Sequence, residues 1–572
     1  MKTKMNILTV TMMQLLFFST ICFTATGSDT ISPSEQLGQQ IDSLVMLQHG
    51  VSEPGGVVAV VAANGVMHRG IYGMMNLEKG WQINAHTLFD IASVSKQFTA
   101  FAIMMLEEEG LLDLDADIRQ YLVDFPDLSH TVTVRHLLQH TSGLPSTDVL
   151  RLLAGIPLDQ LWTQDDEIGM IKRYPYLNFE PNSTHLYSNA GYSILANIVS
   201  DVSGLPFPVF MSQRVFKPLG MNSAFVMAEE FSDPERIALG YRRSQDEFVV
   251  FSSLDDLSYG SGNIFSSLDD MIRWAENILS PEVGCHDFLQ RISHPYNTLN
   301  SGDTLNYTYG FQVRKHKGVK MVEHSGGVPG FRNQFMVFPD AGVIIILMFN
   351  NESINTRTIA TGIADLFLEG RPEVEPVVQR QEIDFNMTDV RTFEGRYLMP
   401  DGMEMTFVVE QDTFWLKLPG DMQFQLFAED SHTFFLKAFE AQCTFVSSEE
   451  GPAQKIIWRQ RGQDYTASRV DEVILLQPEE LIAFRGLYHH SELEVDYPVT
   501  LENGQLVLHP PDTFGKYLGI ETIPLDHVNG DKFHSGWLGI LEFTRDEHDQ
   551  IDGFVLMNVG RVQHIRFLLV SN

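Results

Sequence analysis

A chain of 572 residues exceeds the size at which one hydrophobic core stops growing, so it divides into two or three domains, and 44% hydrophobic with 11% aromatic residues is enough to fill them. A net charge of −35 argues against nucleic acid, anionic lipid or any other polyanion as a partner and gives a strongly solvated surface. Of three cysteines, Cys22 lies in the leader and Cys285 and Cys443 are far apart, which leaves neither a disulfide framework nor a cysteine-based metal site.

In chain order, Lys2 and Lys4 precede an apolar run over residues 7–23, and the small residues Ala25, Gly27 and Ser28 follow. This is the layout of a cleavable signal peptide over residues 1–27, and it predicts a periplasmic or secreted protein with no membrane contact after removal. An uncleaved anchor is the alternative. Residues 34–48 read as an amphipathic helix through Leu37, Ile41, Leu44 and Val45. Residues 57–63 and 66–72 read as a hairpin around Asn64-Gly65, with a type I′ turn. Far downstream, residues 319–323, 334–338 and 343–349 are three more apolar strands, and 359–368 is a helix that would cover a sheet face.

Strands at both ends of one segment, with mostly helical sequence between them, predict an α+β domain over residues 28–370: one antiparallel sheet with a helical insertion around 97–290. A Pro- and Glu-rich stretch opens a linker over 371–388. Beyond it, Phe393-Glu-Gly395-Arg-Tyr397 recurs 91 residues later as Phe484-Arg-Gly486-Leu-Tyr488, each copy followed by alternating strands. That period is domain-sized, and it predicts two small antiparallel β-barrels at 389–476 and 477–572.

The chemistry concentrates in three short motifs. Ser93-x-x-Lys96 is the only Ser-x-x-Lys in the chain and opens a helical stretch that Gly110 stops. A serine there has its N–H at the positive end of the helix dipole, where an oxyanion is stabilised, and Lys96 lies on the same face one turn on. Burial would lower the basicity of Lys96, so that it could accept the serine proton. The bland alternative is a helix N-cap with a surface lysine.

Tyr187-x-Asn189 competes with Tyr176-x-Asn178, but only the former sits on a polar connection just before a helix. There Tyr187 would relay protons, while Asn189 would hold Lys96 and a substrate carbonyl. His324-x-Gly326 competes with His534-x-Gly536, which a polar turn explains. His324 and Gly326 would share one side of a strand, Gly326 would let a substrate backbone approach, and the N–H of Gly327 would be the second oxyanion donor with that of Ser93.

With residues 133–145, 187–204 and 324–331 around them, these motifs resemble the serine β-lactamase-like family, in order over roughly residues 34–370. That family groups class C β-lactamases, D-Ala-D-Ala carboxypeptidases, D-aminopeptidases and related esterases. The resemblance implies an α/β (α+β) β-lactamase/transpeptidase-like fold, no cofactor, Ser93 as nucleophile, Lys96 as its base and Tyr187 as the partner acid/base. It also implies that Asn189, His324 and Gly326 bind substrate. The β-lactamases usually carry lysine where His324 stands, which anchors a substrate carboxylate and tunes the tyrosine. Histidine is a weaker, pH-dependent cation, so the resemblance points to hydrolysis of a small amide or ester, such as a D-amino acid peptide, ahead of β-lactams. The D-aminopeptidases also look similar in carrying two tail barrels.

A class C-like β-lactamase and a catalytically weak, ligand-binding sensor are the alternatives. His136-x-x-x-His140 has the spacing of a zinc helix without its glutamate, which disfavours a metal. No Gly-x-Ser-x-Gly elbow is present, which disfavours an α/β-hydrolase. Residues 524–537, polar with aromatic flanks, are the tail loop expected to reach over the cleft. The expected partner is a small molecule or short peptide, and the sequence leaves the oligomeric state open.

Overall fold

The longest apolar runs lie almost 300 residues apart and pair side by side. In the computed structural model β1 (Gly56–Ala62), β2 (Gly65–Tyr72), β3 (Tyr307–Thr308), β4 (Phe311–His316), β5 (Val319–Val328), β6 (Phe331–Phe338) and β7 (Val343–Phe349) form one antiparallel sheet in the order β3-β4-β5-β6-β7-β1-β2. The described residues are 33–571 apart from 49, 230–232, 246, 252–254, 295–296, 369–379, 381, 384, 400–403, 419–421, 439–440, 447–451, 461–462 and 471–475. The leader at 1–27 and much of the linker at 371–388 lie outside them.

Helices that position the site are α1 (Pro33–Met46), α2 (Lys96–Glu108), α3 (Thr147–Leu153), α4 (Gln164–Arg173), α5 (Asn189–Ser203), α6 (Leu268–Leu279) and α7 (Thr356–Leu368). Both faces of the sheet are covered, which is why β1 and β7 are apolar throughout rather than alternating. Val58, Val60, Ile345 and Leu347 pack with Ile41 and Val45 of α1 and Ile359 and Ile363 of α7. Val57, Ala59, Ile344 and Ile346 share the opposite core with Phe98 and Phe101 of α2 and Trp274 of α6. Helix α2 is therefore central: every residue from Lys96 to Leu106 is buried, and Gly110 at φ 70 supplies the left-handed stop.

Three local expectations change. In the β1–β2 turn the positive φ falls on Gly65 (φ 118), not on Asn64, so the turn is not type I′. The third motif lies inside the long strand β5 rather than at a strand end. The insertion is mostly helical but also holds Phe225–Val226 and Ile264–Ser266, which form a three-stranded sheet with Phe89–Asp90 just ahead of it.

The tail forms two closed eight-stranded barrels, from Gly395 to Val470 and from Gly486 to Ser571. The repeated motif does the same work in each. Gly395 (φ 151) and Gly486 (φ 153) start the first strand, and Tyr397 and Tyr488 donate to the carbonyls of Phe393 and Phe484 at 3.2 and 2.7 Å. Phe407, Phe414, Phe434 and Phe445 fill the first barrel.

The second barrel shares its core with the catalytic domain. Leu150, Leu153, Trp162, Met170 and Tyr174, on and between α3 and α4, cluster with Tyr488, Tyr497, Phe514 and Phe567. Tyr497 donates to the Leu153 carbonyl at 3.0 Å. Residues 524–537 face the first barrel instead of the cleft: Asp526, His527 and His534 line a groove with Arg396 and Glu404.

Leu153→Ala should therefore behave as a core truncation and cost about 2–5 kcal/mol in denaturant unfolding. A loss under about 0.5 kcal/mol would show that the barrel is not docked there.

Candidate active site

The turn that carries Ser93 is held on every side. Asp90 Oδ1 accepts the Ala92 N–H at 2.7 Å, and Ala92 itself sits at φ 50, a left-handed conformation that costs a non-glycine residue about 1–3 kcal/mol. The Asp90 carbonyl accepts from Asn333 Nδ2 at 3.0 Å, and Ile91 N donates to the Ile264 carbonyl at 3.0 Å. Ser93 thus lies in a 3₁₀ turn (Ala92–Ser95) immediately ahead of α2, rather than in its first turn.

Lys96 is the first residue of α2 and is wholly buried. Its Nζ lies 2.9 Å from Asn189 Oδ1, 2.7 Å from the Ser261 carbonyl oxygen and 3.3 Å from Ser93 Oγ. Burial, then the charge of Arg561, hold it well below the usual lysine range, and Asp148 opposes them. A neutral amine has two N–H bonds and one lone pair. In that form Asn189 Oδ1 and the Ser261 carbonyl, which only accept, would take the two protons and leave the lone pair to Ser93.

Tyr187 lies under this group, with Lys96 Nζ 4.8 Å from its ring centroid and Ser93 hydrogen-bonded to its oxygen. Burial raises its phenol above the usual range, so it keeps its proton, while Ser93 and Arg561 pull the other way. Asn189, the first residue of α5, is held at both ends of its amide, because Nδ2 donates to Asp148 Oδ2 at 2.9 Å.

The third motif is placed differently from its sequence reading. His324 is buried, its Nδ1 2.6 Å from the Ser325 carbonyl oxygen and its Nε2 3.0 Å from Tyr307 Oη. Burial first, then the nearby Lys96, push it down to about 3, so the ring is neutral. The carbonyl can only accept, which puts the proton on Nδ1 and makes Nε2 the acceptor from Tyr307. His324 is thus a wall behind Tyr187, at 6.0 Å between centroids, and not a cation facing substrate. Gly326 also shifts role: a β-carbon there would lie 2.4 Å from the Ile91 carbonyl oxygen. Its bareness lets β5 press against the nucleophile turn rather than admit a substrate backbone. Gly327, on the opposite side of the strand, is exposed and lines the cleft with Ser93.

That cleft, of about 420 Å³, is bounded by Ser93, Asn189, Asp148, Asp256, Gly327 and Phe331. Arg151, stacked on Trp162, lies 3.4 Å from Asp256, and Asp148 remains half exposed. Glu167 is buried in the wall and pushed up to about 7 by desolvation, then by Asp148.

The competing motifs have other work. Asn178 donates to the Arg561 carbonyl and accepts from Gln563 N, so Tyr176-x-Asn178 is a docking contact with the second barrel. His136 closes a capping box with Thr133, whereas His140 accepts from Ser188 N and packs at a tilt on Tyr187, 4.3 Å between ring centroids. Cys285 and Cys443 are buried free thiols.

Sequence reasoning missed the Ser261 carbonyl, Asp148 and Arg561. No local pattern marks them, because tertiary packing alone brings them within reach of Lys96.

A buried lysine of lowered basicity against a serine, with tyrosine and asparagine beside it on this sheet and helix frame, defines a serine hydrolase of the β-lactamase kind. Residues 46–366 match the Beta-lactamase family model, and the chain belongs to that family. It is 28% identical over 431 residues to a penicillin-binding protein of Bacillus subtilis (strain 168), covering 71% of this chain and 93% of that one. A D-aminopeptidase of Gluconobacter oxydans (strain 621H) is 27% identical over 301 residues, which cover 52% of this chain and 56% of the relative. In fold, the chain is similar to the octameric penicillin-binding protein homologue from Pyrococcus abyssi, with a TM-score of 0.53 at 22% identity, over 76% of this chain and 100% of that one.

Gly326→Ala should displace the Ser93 turn and lower kcat/KM by about tenfold or more, with a folded protein by circular dichroism. Wild-type kinetics in that variant would refute the packing role. A second expectation concerns acid stability. His185 and His324 are depressed from 6.5 to about 4 and about 3, in each case mainly by burial. Below pH 6.5 the unfolded chain binds protons that the folded one refuses, so stability falls as pH drops from 6.5 towards 4. The slope per histidine is at most about 1.4 kcal/mol per pH unit. His185→Gln should flatten the fall of the thermal midpoint across that window, and an unchanged slope would contradict it.

Proposed function

We propose that the protein hydrolyses a small amide or ester of a D-amino acid through an acyl-enzyme on Ser93. The observation that carries this reading is the three-way environment of Lys96 Nζ, which leaves its lone pair to Ser93. Lys96 takes the Ser93 proton as Oγ attacks the substrate carbonyl, and the N–H groups of Ser93 and Gly327 receive the oxyanion. Tyr187, still protonated, gives its proton to the departing amine or alkoxide and is reprotonated from Lys96. Water then enters on the same path in reverse and frees the acid.

The acyl side of the cleft supports an amino acid derivative. Asp148 is a half-exposed carboxylate held beside Asn189, and it suits the ammonium of an acyl group with a free amine. The preference for D-configuration is supported by the relatives named D-aminopeptidase.

Full-length protein should release nitroaniline from D-alanine p-nitroanilide faster than from the L-isomer or from an N-acetylated D-isomer, and Ser93→Ala should lower kcat by about a thousandfold or more. Equal turnover by Ser93→Ala would sink the mechanism, and preference for the N-acetylated anilide would sink the ammonium subsite.

A further inference from the structure

Arg561 belongs to the turn between the last two strands of the second barrel, Ile551–Val559 and Val562–Ser571. Its main chain is fixed to the catalytic domain: the Arg561 carbonyl accepts from Ser146 N at 3.3 Å and from Asn178 Nδ2 at 3.1 Å, and Gln563 N donates to Asn178 Oδ1 at 2.8 Å. Gly560, at φ 57, brings the turn against Val149 of α3. The guanidinium is left 5.4 Å from the Tyr187 ring centroid. Asp148 Oδ2 is 4.0 Å away, beyond direct hydrogen bonding, and already accepts from Asn189.

We propose that Arg561 is a positioning residue of the active site: the second barrel delivers a fixed positive charge to Tyr187 and Lys96, which keeps the lysine neutral and the tyrosine able to part with its proton. This rests on the Ser93–Lys96–Tyr187 reading above. Among the described residues, the ionisable groups that face this pair include Arg561, Asp148, His140, His324, Tyr307 and Tyr192, whose ring centroid lies 5.5 Å from Lys96 Nζ. Both histidines are kept neutral by burial, and burial also keeps Tyr307 protonated. Arg561 is then the cation and Asp148 the opposing anion, and the shifts of Lys96 and Tyr187 carry both signs accordingly. Guanidinium suits this place because it stays charged at any working pH and rests on an aromatic face. The neutral His324 cannot supply that charge, so it comes from a residue more than 230 positions later in the chain.

The test is the pH dependence of Ser93 labelling by an alkyl fluorophosphonate, followed by mass spectrometry on the full-length protein. Removing the cation raises the basicity of Lys96, so Arg561→Gln should move the acid limb of the labelling profile up by about one pH unit. Arg561→Lys should restore part of that shift. Asp148→Asn, which keeps an acceptor for Asn189, should move the limb the opposite way. A wild-type limb in Arg561→Gln with an unchanged thermal midpoint would overturn the inference. Where Arg561→Gln loosens the barrel and lowers that midpoint, an unmoved or raised limb in Asp148→Asn would overturn it equally. Absence of label on wild-type Ser93 at every pH is a different result: it defeats the hydrolase reading, and this one with it.

Discussion

One nitrogen sets the terms for the rest of the catalytic domain. Lys96 Nζ is removed from water at the core end of α2, where a charged ammonium costs several kcal/mol, and a neutral amine does not. Neutrality in turn demands two good acceptors. One is Asn189, placed by the start of α5, and the other is the Ser261 carbonyl, on a loop pinned by Thr99 Oγ1 donating to the Gly260 carbonyl at 2.7 Å. Gly260 sits so close to Tyr192 that a β-carbon would come within 2.3 Å of its carbonyl oxygen. Three separate elements thus converge on a single amine, and the sheet and helices supply the rigidity that the convergence needs.

The same economy explains β5. A strand that pressed a charged side chain into the wall behind Tyr187 would bury a charge beside Lys96 without a partner. His324 avoids this by staying neutral, its tautomer fixed by Ser325 and Tyr307. Gly326 meanwhile closes the gap to Ile91, so the strand works as a clamp on the nucleophile turn, and Gly327 and Val328 line the cleft. The strain at Ala92 persists because Asp90, Asn333 and Ile264 fix its neighbours from three directions.

Much of this was legible in the sequence wherever the signal is local. The hairpin, the apolar runs of β6 and β7, the repeat at Gly395 and Gly486 and the order of Ser93, Lys96, Tyr187 and Asn189 all lie within short windows whose periodicity or turn chemistry is decisive. What was not legible depends on contacts between distant segments. His324 looks the same in sequence whether it faces substrate or a buried tyrosine, and a glycine does not say which backbone approaches it. The loop expected over the cleft was chosen by composition, yet shape decided: residues 524–537 meet the first barrel, while the short turn at Gly560-Arg561 reaches Asn178 and Ser146. The type I′ turn failed for a smaller reason, since Gly65 absorbs the left-handed conformation alone.

The shared core of α3, α4 and the second barrel has a consequence in time. Asn178 and its partner Gln563 stand 385 residues apart. From Leu368, the end of α7, to Gln563 the chain runs a further 195 residues, so at a synthesis rate of about 5–20 residues per second the catalytic domain waits about 10–40 s for the surface that covers Leu150, Leu153 and Trp162. A nascent chain interrupted in that interval carries an assembled sheet with an uncovered apolar flank, the kind of surface that chaperones and proteases recognise. The second barrel therefore completes the core of the catalytic domain rather than decorating its outside.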